Sequence, residues 1–421
     1  MEPPVPYSEL PQGDVLCVDM KSFYASVEAV ERGLDPFKVS LAVVGNQEQA
    51  GSVILAATPL MKRKYDIKTG SRLFEVPKND DIILVEPRMS LYLKKSLEII
   101  ELFSSYVPRK DIFVYSVDEC WLDLNGSKQK FAGAWQLTSK LRNHIYNKYG
   151  LSCSTGIAPN MFLSKVAMDI EGKEKGIACW RYEDIPEKLW PLPVEKVWGI
   201  GSRTAEKFNR WQIYTMEDVA RKGADFFRRR LGVVGEEIYY QAWGVDESLP
   251  RGYYDDERKS IGRGATLYRD YVSLKDIKTV IFNLSEDIGY RARCLGLAGK
   301  TISLSLKYSR HYNRSGFQAQ RTLPVATNLE HEILQVAREL LQEKHHSGAP
   351  VRRISVSLTS LVLEEKIQLN LFSNKERLIR LAKTRDKIRD KFGAGKLDYG
   401  LSRAEGSIRG RLNSNIGGHK E

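Results

Sequence analysis

The sequence predicts an α+β chain divided into several compact domains. Length points to it first: 421 residues exceed what one hydrophobic core ordinarily organises, and about three units would account for them. Alternation points to it next. Up to about residue 185, short apolar runs of strand length alternate with stretches of helical period, whereas Val197 to Gly244 carries helical period alone, and a second series of strands and helices begins beyond residue 257. The composition, 42% hydrophobic and 28% charged, is rich enough in apolar residues to fill such cores and excludes a chain disordered throughout.

Taken in order, Val15-Leu16-Cys17-Val18 is a short apolar strand ending in Asp19. Ser22 stands where a cap belongs, before a helical stretch through Ala25, Val27, Glu28 and Val30. The runs SLAVVG and SVILAA read as a strand pair. Met89 to Tyr106 is a helix with Leu93, Leu97, Ile100 and Phe103 at helical spacing and Pro108 as its stop. Ile112 to Leu124 reads as two β-rich halves flanking the acidic pair Asp118-Glu119. Trp135 to Tyr149 is a further helix, Cys153 to Ala158 a strand, and Phe162 to Ile170 a helix with Phe162, Val166, Ala167 and Ile170 on its apolar face. A boundary is expected in the Pro-punctuated stretch Pro186 to Pro193, and ESLPRGYYDDE at 247–257 reads as a linker. Beyond it, Thr301 to Leu306 and Ile354 to Leu358 alternate as strands, with helices near Leu274 to Leu295 and His331 to Glu343, giving a βα domain with one wet sheet face. From Ser373 the tail holds 13 basic and 6 acidic residues and loses hydrophobic period after Phe392, so order is expected to fade there.

Charge is unevenly placed. Residues 1–257 carry 34 Lys+Arg against 37 Asp+Glu, while 258–421 carry 31 against 16, so the C-terminal part holds the whole positive excess. A polyanion grip beside a mildly acidic unit is one reading; a solvated basic face is the other. No apolar run of roughly 18 residues occurs, and the polar MEPPVPYSELPQGD is unlike a signal peptide, so no membrane span is expected and the cytoplasm is the expected address. Cys17, Cys120, Cys153, Cys179 and Cys294 stand singly, which argues against a zinc ribbon or disulfide framework and for small buried hydrophobes.

Neighbouring side chains on a strand point to opposite faces, so Asp118 and Glu119 serve one site only if a hairpin turns there. Adjacent carboxylates repel unless a cation screens them, and oxygen ligands suit Mg²⁺. With Asp19 from a second strand and the Met20 carbonyl, such a set could clamp two ions about 3.5–4 Å apart, the arrangement for phosphoryl transfer. A solvated acidic turn accounts for the same pair equally simply.

The string Asp19-Met20-Lys21-Ser22-Phe23-Tyr24-Ala25-Ser26-Val27-Glu28 resembles the opening motif of Y-family (translesion) DNA polymerases. Tyr115-Ser116-Val117-Asp118-Glu119-Cys120-Trp121-Leu122-Asp123 resembles their second metal motif. Thr155-Gly156-Ile157-Ala158-Pro159-Asn160-Met161-Phe162-Leu163-Ser164-Lys165-Val166-Ala167 resembles the third, and Val197-Trp198-Gly199-Ile200-Gly201 the thumb's hairpin-helix-hairpin. The likeness spans about residues 14–366 and is closest to UmuC-like and DNA polymerase IV-like bacterial members. It implies a right-hand polymerase: an antiparallel-sheet palm at 12–22 and 85–185, small fingers at 23–84, a helical thumb at 186–246, a linker at 247–257, and a DNA-binding βα little finger at 258–366. Residues 367–421 would then hold a clamp-binding motif and a basic, partly disordered tail.

The resemblance further implies Asp19, Asp118 and Glu119 as catalytic ligands of two Mg²⁺ ions, with Mn²⁺ as a substitute. It makes Tyr24 the steric gate against a 2′-hydroxyl, with Phe23 beside the incoming deoxynucleotide; a core role remains open for both rings. Arg63 and Lys173 match the triphosphate-binding cations. Two departures stand out: Leu60 occupies the position three before Arg63 where the family usually has tyrosine, and the spacing around Lys173 is one residue long, which leaves Lys175 as a rival. Gly199 and Gly201 would offer backbone amides to a DNA phosphate, and Arg352 and Arg353 would lie along the template backbone, with Arg258 and Lys259 as weaker candidates. Gln368, Leu369, Leu371 and Phe372 resemble the peptide by which bacterial polymerases bind the sliding clamp, against the alternative of a segment packing on its own chain. Small residues at Ala56 and Ala57 suit a loose roof over the nascent pair, hence low-fidelity synthesis past DNA damage and SOS mutagenesis. UmuC-like members also work with accessory mutagenesis subunits and a recombinase filament, and the sequence leaves both open as partners. A nucleotidyl cyclase would not need the Gly199–Gly201 module or the basic C-terminal part, and a DNA-binding scaffold would not need the three carboxylates.

Overall fold

In the computed structural model, which describes residues 2–248, 250, 258–367, 374–416 and 419–420, the chain divides into two units, one over 1–255 with 420–421 and one over 256–419. The first unit runs β1 (Val15–Met20), α1 (Phe23–Val30), β2 (Ser40–Val44), β3 (Ile54–Ala57), α2 (Pro59–Tyr65), β4 (Ile82–Val85), α3 (Met89–Ser104), β5 (Ile112–Val114), β6 (Glu119–Asp123), α4 (Ala134–Tyr149), β7 (Cys153–Ala158), α5 (Met161–Ala167), α6 (Lys173–Lys175) and β8 (Ile177–Cys179). A five-stranded sheet has the order β5-β6-β1-β7-β8. Its strands pair antiparallel except β7 and β8, which run parallel, so the expectation of a wholly antiparallel palm is corrected at one edge. The reversal is physical: α5 and α6 form a crossover between β7 and β8, and a crossover delivers a parallel strand.

Strand period sorts β1's neighbours. Val15 and Cys17 pack with Trp121 against Met161 and Met168 at the α5 segment, while Val18 and Met20 face Ile99, Ile100 and Phe103 of α3. Asp19 therefore shares the face of α5. Two glycines let that segment lie close. A Cβ at Gly156 would stand 2.1 Å from the Ser164 carbonyl oxygen, and one at Gly172 2.4 Å from that of Thr155. Between α5 and α6, Met168–Gly172 forms a π-helical turn. Such a turn accommodates one extra residue in a helical run.

A second sheet, β3-β2-β4, packs beside α1; β2 and β3 pair as expected, antiparallel to each other, and β4 joins parallel to β2. The helical segment comprises α7 (Ser202–Arg210), α8 (Met216–Lys222), α9 (Ala224–Leu231) and α10 (Val233–Ala242). Its Phe208, Met216, Phe227 and Ile238 share one core with Phe162, Val166 and Trp180. The side-chain amide of Asn160 also donates to the Gly244 carbonyl at 2.8 Å.

The second unit is built on β9 (Ser260–Tyr271), α11 (Leu274–Cys294), β10 (Leu297–Tyr308), β11 (Gly316–Thr327), α12 (Glu330–Lys344), β12 (Val351–Leu363) and α13 (Lys375–Phe392). Its antiparallel sheet has the order β11-β10-β12-β9, and α11 and α12 bury Ile302, Leu304, Ile354, Val356 and Leu358 on one face. The opposite face is the wet one. The expected loss of order after Ser373 is corrected for the described residues. Arg385, Asp386, Arg389 and Arg409 are all buried, with Arg385 on Glu330 at 2.8 Å, Asp386 on Arg293 at 2.6 Å and Arg409 on Glu286 at 3.1 Å. Ion pairing holds this segment together with apolar contacts of Ile379, Ile408 and Leu412. Cys17, Cys120 and Cys153 are buried, whereas Cys179 is half-buried and Cys294 exposed. Among the described residues no helix is long and apolar enough to cross a membrane.

Candidate active site

β1 and β6 pair with Asp19 opposite Glu119, and the Met20 amide donates to the Asp118 carbonyl at 2.9 Å. The amides of Tyr115 and Ser116 both donate to the Glu119 carbonyl at 3.0 Å, closing the hairpin that places Asp118 in the turn. The three acids are thus neighbours, but their carboxylates have different partners. Asp118 accepts from the Ser116 hydroxyl at 2.6 Å, and Glu119 is paired with buried Lys165 at 2.8 Å. Asp19 and Asp118 line a cleft of about 710 Å³; Glu119, turned to Lys165, does not. Among the described residues no three His, Cys, Asp or Glu side chains stand together as a ready metal cluster. Burial, with the negative charges of Asp118 and Glu119 added, pushes the Asp19 carboxyl up to about 6 against the opposing pull of Lys165.

Tyr24 and Phe23 open α1 and line the same cleft. The Tyr24 ring stacks on wholly buried Tyr92, 4.4 Å between centroids at 15°, and the Tyr92 hydroxyl donates to buried Glu28 at 2.7 Å. Arg88 donates to the same carboxylate at 2.8 and 3.0 Å. Ser22 sits at the helix entry in the left-handed region at φ 51°, and its side chain makes no capping bond, contrary to the sequence expectation; its hydroxyl accepts instead from Lys62 at 2.9 Å. Of the two small residues on β3, Ala56 lines the cleft, while Ala57 points into the core with Ala42 and Val44. The loose-roof reading is therefore corrected at Ala57, because neighbours on a strand face opposite ways.

Arg63 and Lys173 line the cleft with Lys62. Lys173 pairs with Asp169 at 2.7 Å, and Lys165 approaches the same Asp169 at 3.4 Å, so Asp169 on the π-turn links Lys165 of α5 with Lys173 of α6. Lys175 is turned away to Glu171 at 3.0 Å. Sequence reasoning passed over Lys62, Tyr92 and Lys165. For Lys165 a signal existed: a lysine on an otherwise apolar helix face, four residues before an acid.

Gly199 adopts φ +92°, Gly201 is the residue before α7, and both glycines are exposed at this helix entry. On β12, a register shift between Val351 and Arg353 leaves both Arg352 and Arg353 exposed. Arg352 reaches Asp270 at 3.6 Å. Arg353 stands directly opposite Lys307, and neither has an acidic partner among the described residues. Like charges facing across a ladder are costly unless an anion lies over them. Below them on the same face, Ser305 pairs with Ser355 and Ser303 with Ser357, short hydroxyls that let a backbone approach. Arg258 and Lys259 lie exposed before β9. Gln368, Leu369, Leu371 and Phe372 fall outside the described residues.

The impB/mucB/samB family matches residues 18–169, that family's C-terminal domain residues 258–371, and its HHH motif residues 182–213. A Bacillus subtilis (strain 168) protein assigned to UV-damage repair, UvrX, is 38% identical over 99% of this chain and 100% of its own length. DNA polymerase IV 2 of the same strain is 33% identical over 96% and 98%. DNA polymerase IV of Pelotomaculum thermopropionicum is 34% identical over 90% of this chain and 92% of its own. In fold, a Y-family DNA polymerase chimera aligns with a TM-score of 0.67 at 21% identity, over 83% of this chain and 99% of that one.

Proposed function

We propose, on the premise that this chain belongs to the impB/mucB/samB family of Y-family DNA polymerases, that it is a template-directed DNA polymerase that extends primers past damaged bases at low fidelity. The observation that carries the reading is a single cleft lined by Asp19, Asp118, Tyr24, Arg63 and Lys173. The reaction joins the primer 3′-oxygen to the α-phosphorus of a deoxynucleoside triphosphate and releases pyrophosphate.

The donor set fits divalent cations. Asp19 and Glu119 face each other across β1 and β6 with Asp118 in the adjoining turn, Lys165 lies within ion-pair distance of Glu119, and burial, with the charges of Asp118 and Glu119 added, raises the Asp19 carboxyl. Asp19, Asp118, Glu119 and the Met20 carbonyl would hold two Mg²⁺, or Mn²⁺, ions. When bound, such ions lower the pKa of the attacking hydroxyl and neutralise the leaving pyrophosphate. Arg63 and Lys173 hold the triphosphate, and their charge opposes what develops on the leaving group. Tyr24, fixed by Tyr92 behind it, fills the space a 2′-hydroxyl would need. Phe23 packs at the edge of the nucleotide site.

Primer-template DNA is bound without reading sequence, by the amides at Gly199 and Gly201 and by Arg352, Arg353 and Lys307 against phosphates. Gln368, Leu369, Leu371 and Phe372 dock on the sliding clamp, and the protein works in the cytoplasm. Primer extension with Mg²⁺ tests the reading. Asp118→Ala and Glu119→Ala should each reduce extension more than a hundredfold while DNA binding persists; extension at the wild-type rate in both would refute it.

A further inference from the structure

We propose that Lys62 binds the triphosphate of the incoming nucleotide beside Arg63, a reading that rests on the polymerase function above. The placement begins with α2. Thr58 caps this helix, its hydroxyl accepting from the Met61 amide at 3.4 Å and from the Leu41 amide at 3.1 Å while donating to the Val39 carbonyl at 2.7 Å, which pins the helix to β2. Met61 is wholly buried, so Lys62 and Arg63 leave the helix on the side away from that core.

Lys62 reaches across the cleft to the Ser22 hydroxyl at 2.9 Å. A hydroxyl uses one of three ammonium donors and supplies no charge. Among the described residues Lys62 meets no carboxylate within ion-pair distance, and neither does Arg63, whereas Lys173 on the same cleft is already paired with Asp169. Leu60, one turn earlier, offers no donor at all. Two adjacent cations without counter-ions, facing a cavity of nucleotide size above two acids, match a ligand carrying several negative charges at one end. The Ser22 bond then holds the ammonium in place until a phosphate oxygen replaces the hydroxyl.

The test is single-nucleotide insertion by the full chain on a primer-template, with inorganic tripolyphosphate as a competitor that has neither base nor sugar. Lys62→Gln should raise KM for the deoxynucleotide about tenfold or more, leave kcat within about threefold, and weaken tripolyphosphate inhibition in parallel. Lys62→Arg should restore most of both. Unchanged KM and unchanged inhibition in Lys62→Gln, with the wild type active, would overturn the assignment. So would a lower melting temperature accompanied by equal losses of DNA and nucleotide affinity, which is the signature of a merely structural bond. Failure of the wild type to extend any primer would instead remove the polymerase reading itself.

Discussion

Replacing Tyr92 by leucine separates the proposed gate, Tyr24, from the ring behind it. Tyr92 touches no ligand site of its own: it is wholly buried, and its ring lies 4.4 Å behind that of Tyr24. A stacked aromatic pair contributes about 0.5–1.5 kcal/mol beyond area burial, so a gate freed from its backing should lose about two- to twelvefold in sugar discrimination. Tyr92→Phe keeps the ring and deletes only the hydroxyl bond to Glu28, a bond to a charged acceptor worth about 1.5–3 kcal/mol of stability. Arg88 stays on that carboxylate, so the phenylalanine variant should fold, melt at a lower temperature and discriminate sugars within about twofold of wild type.

The assay is the ratio of kcat/KM for a deoxynucleotide over its ribonucleotide, with Tyr24→Ala as the fully opened reference. A leucine variant with the wild-type ratio, beside a collapsed ratio in Tyr24→Ala, would refute the view that Tyr92 positions the gate. Equal losses in Tyr92→Phe and Tyr92→Leu would place the effect in the Glu28 hydrogen bond rather than in the stack.

Lys165→Met should lower the melting temperature of the first unit without Mg²⁺ by several degrees, at about 2–4 °C per kcal/mol for a unit of this size, and added Mg²⁺ should recover more of it than in wild type, as differential scanning calorimetry can check. Glu330 is buried, which favours its neutral form, yet Arg385, the Tyr399 hydroxyl and Arg293 together hold it down to about 2 from 4.5. Its contribution, about 3 kcal/mol, is complete above pH 4.5 and is lost as the pH falls toward 2, so Glu330→Gln should destabilise the second unit near pH 7 and flatten that acid limb. All seven tryptophans precede residue 256, so hydrogen exchange in α11 and α12 is the measurement. Arg353→Ala combined with Lys307→Ala should weaken DNA binding about equally on unrelated sequences and reduce the salt slope by about two, read from titrations at several salt concentrations.

Much of this was legible in the residues because local pattern and tertiary placement agree. The strand ending at Asp19, the hairpin around Asp118 and the helix after Asn160 have periods that burial later fulfils. β9 and β11 were not legible: one carries Gly262, Gly264 and a run of exposed polar residues, the other Gln318, Gln320, Arg321 and Pro324, so half of each strand reads as loop when only one face is buried. The stretch after Phe392 was read as fading order because anchors such as Arg409 on Glu286 leave no apolar period. The direction of Glu119 was illegible for another reason. Sequence places a carboxylate on a strand, but the lysine that turns it comes from a helix brought close by Gly156, a contact no spacing announces.

The same ion pairs change what the charge distribution means. Residues 258–421 hold 31 basic residues, yet Arg293, Arg385, Arg389 and Arg409 are buried within the unit, where Glu286, Glu330, Asp386 and Asp398 oppose them. These arginines hold the C-terminal segment in place and are closed to a phosphate. What the wet face offers is Arg353 and Lys307 beside rows of serine. A face of that kind grips a backbone through a few charges and many short hydroxyls, so each phosphate contact is replaceable by the next along the strand. On the proposed reading, such binding would be shallow in salt dependence for so basic a chain, as suits a polymerase that advances one nucleotide at a time.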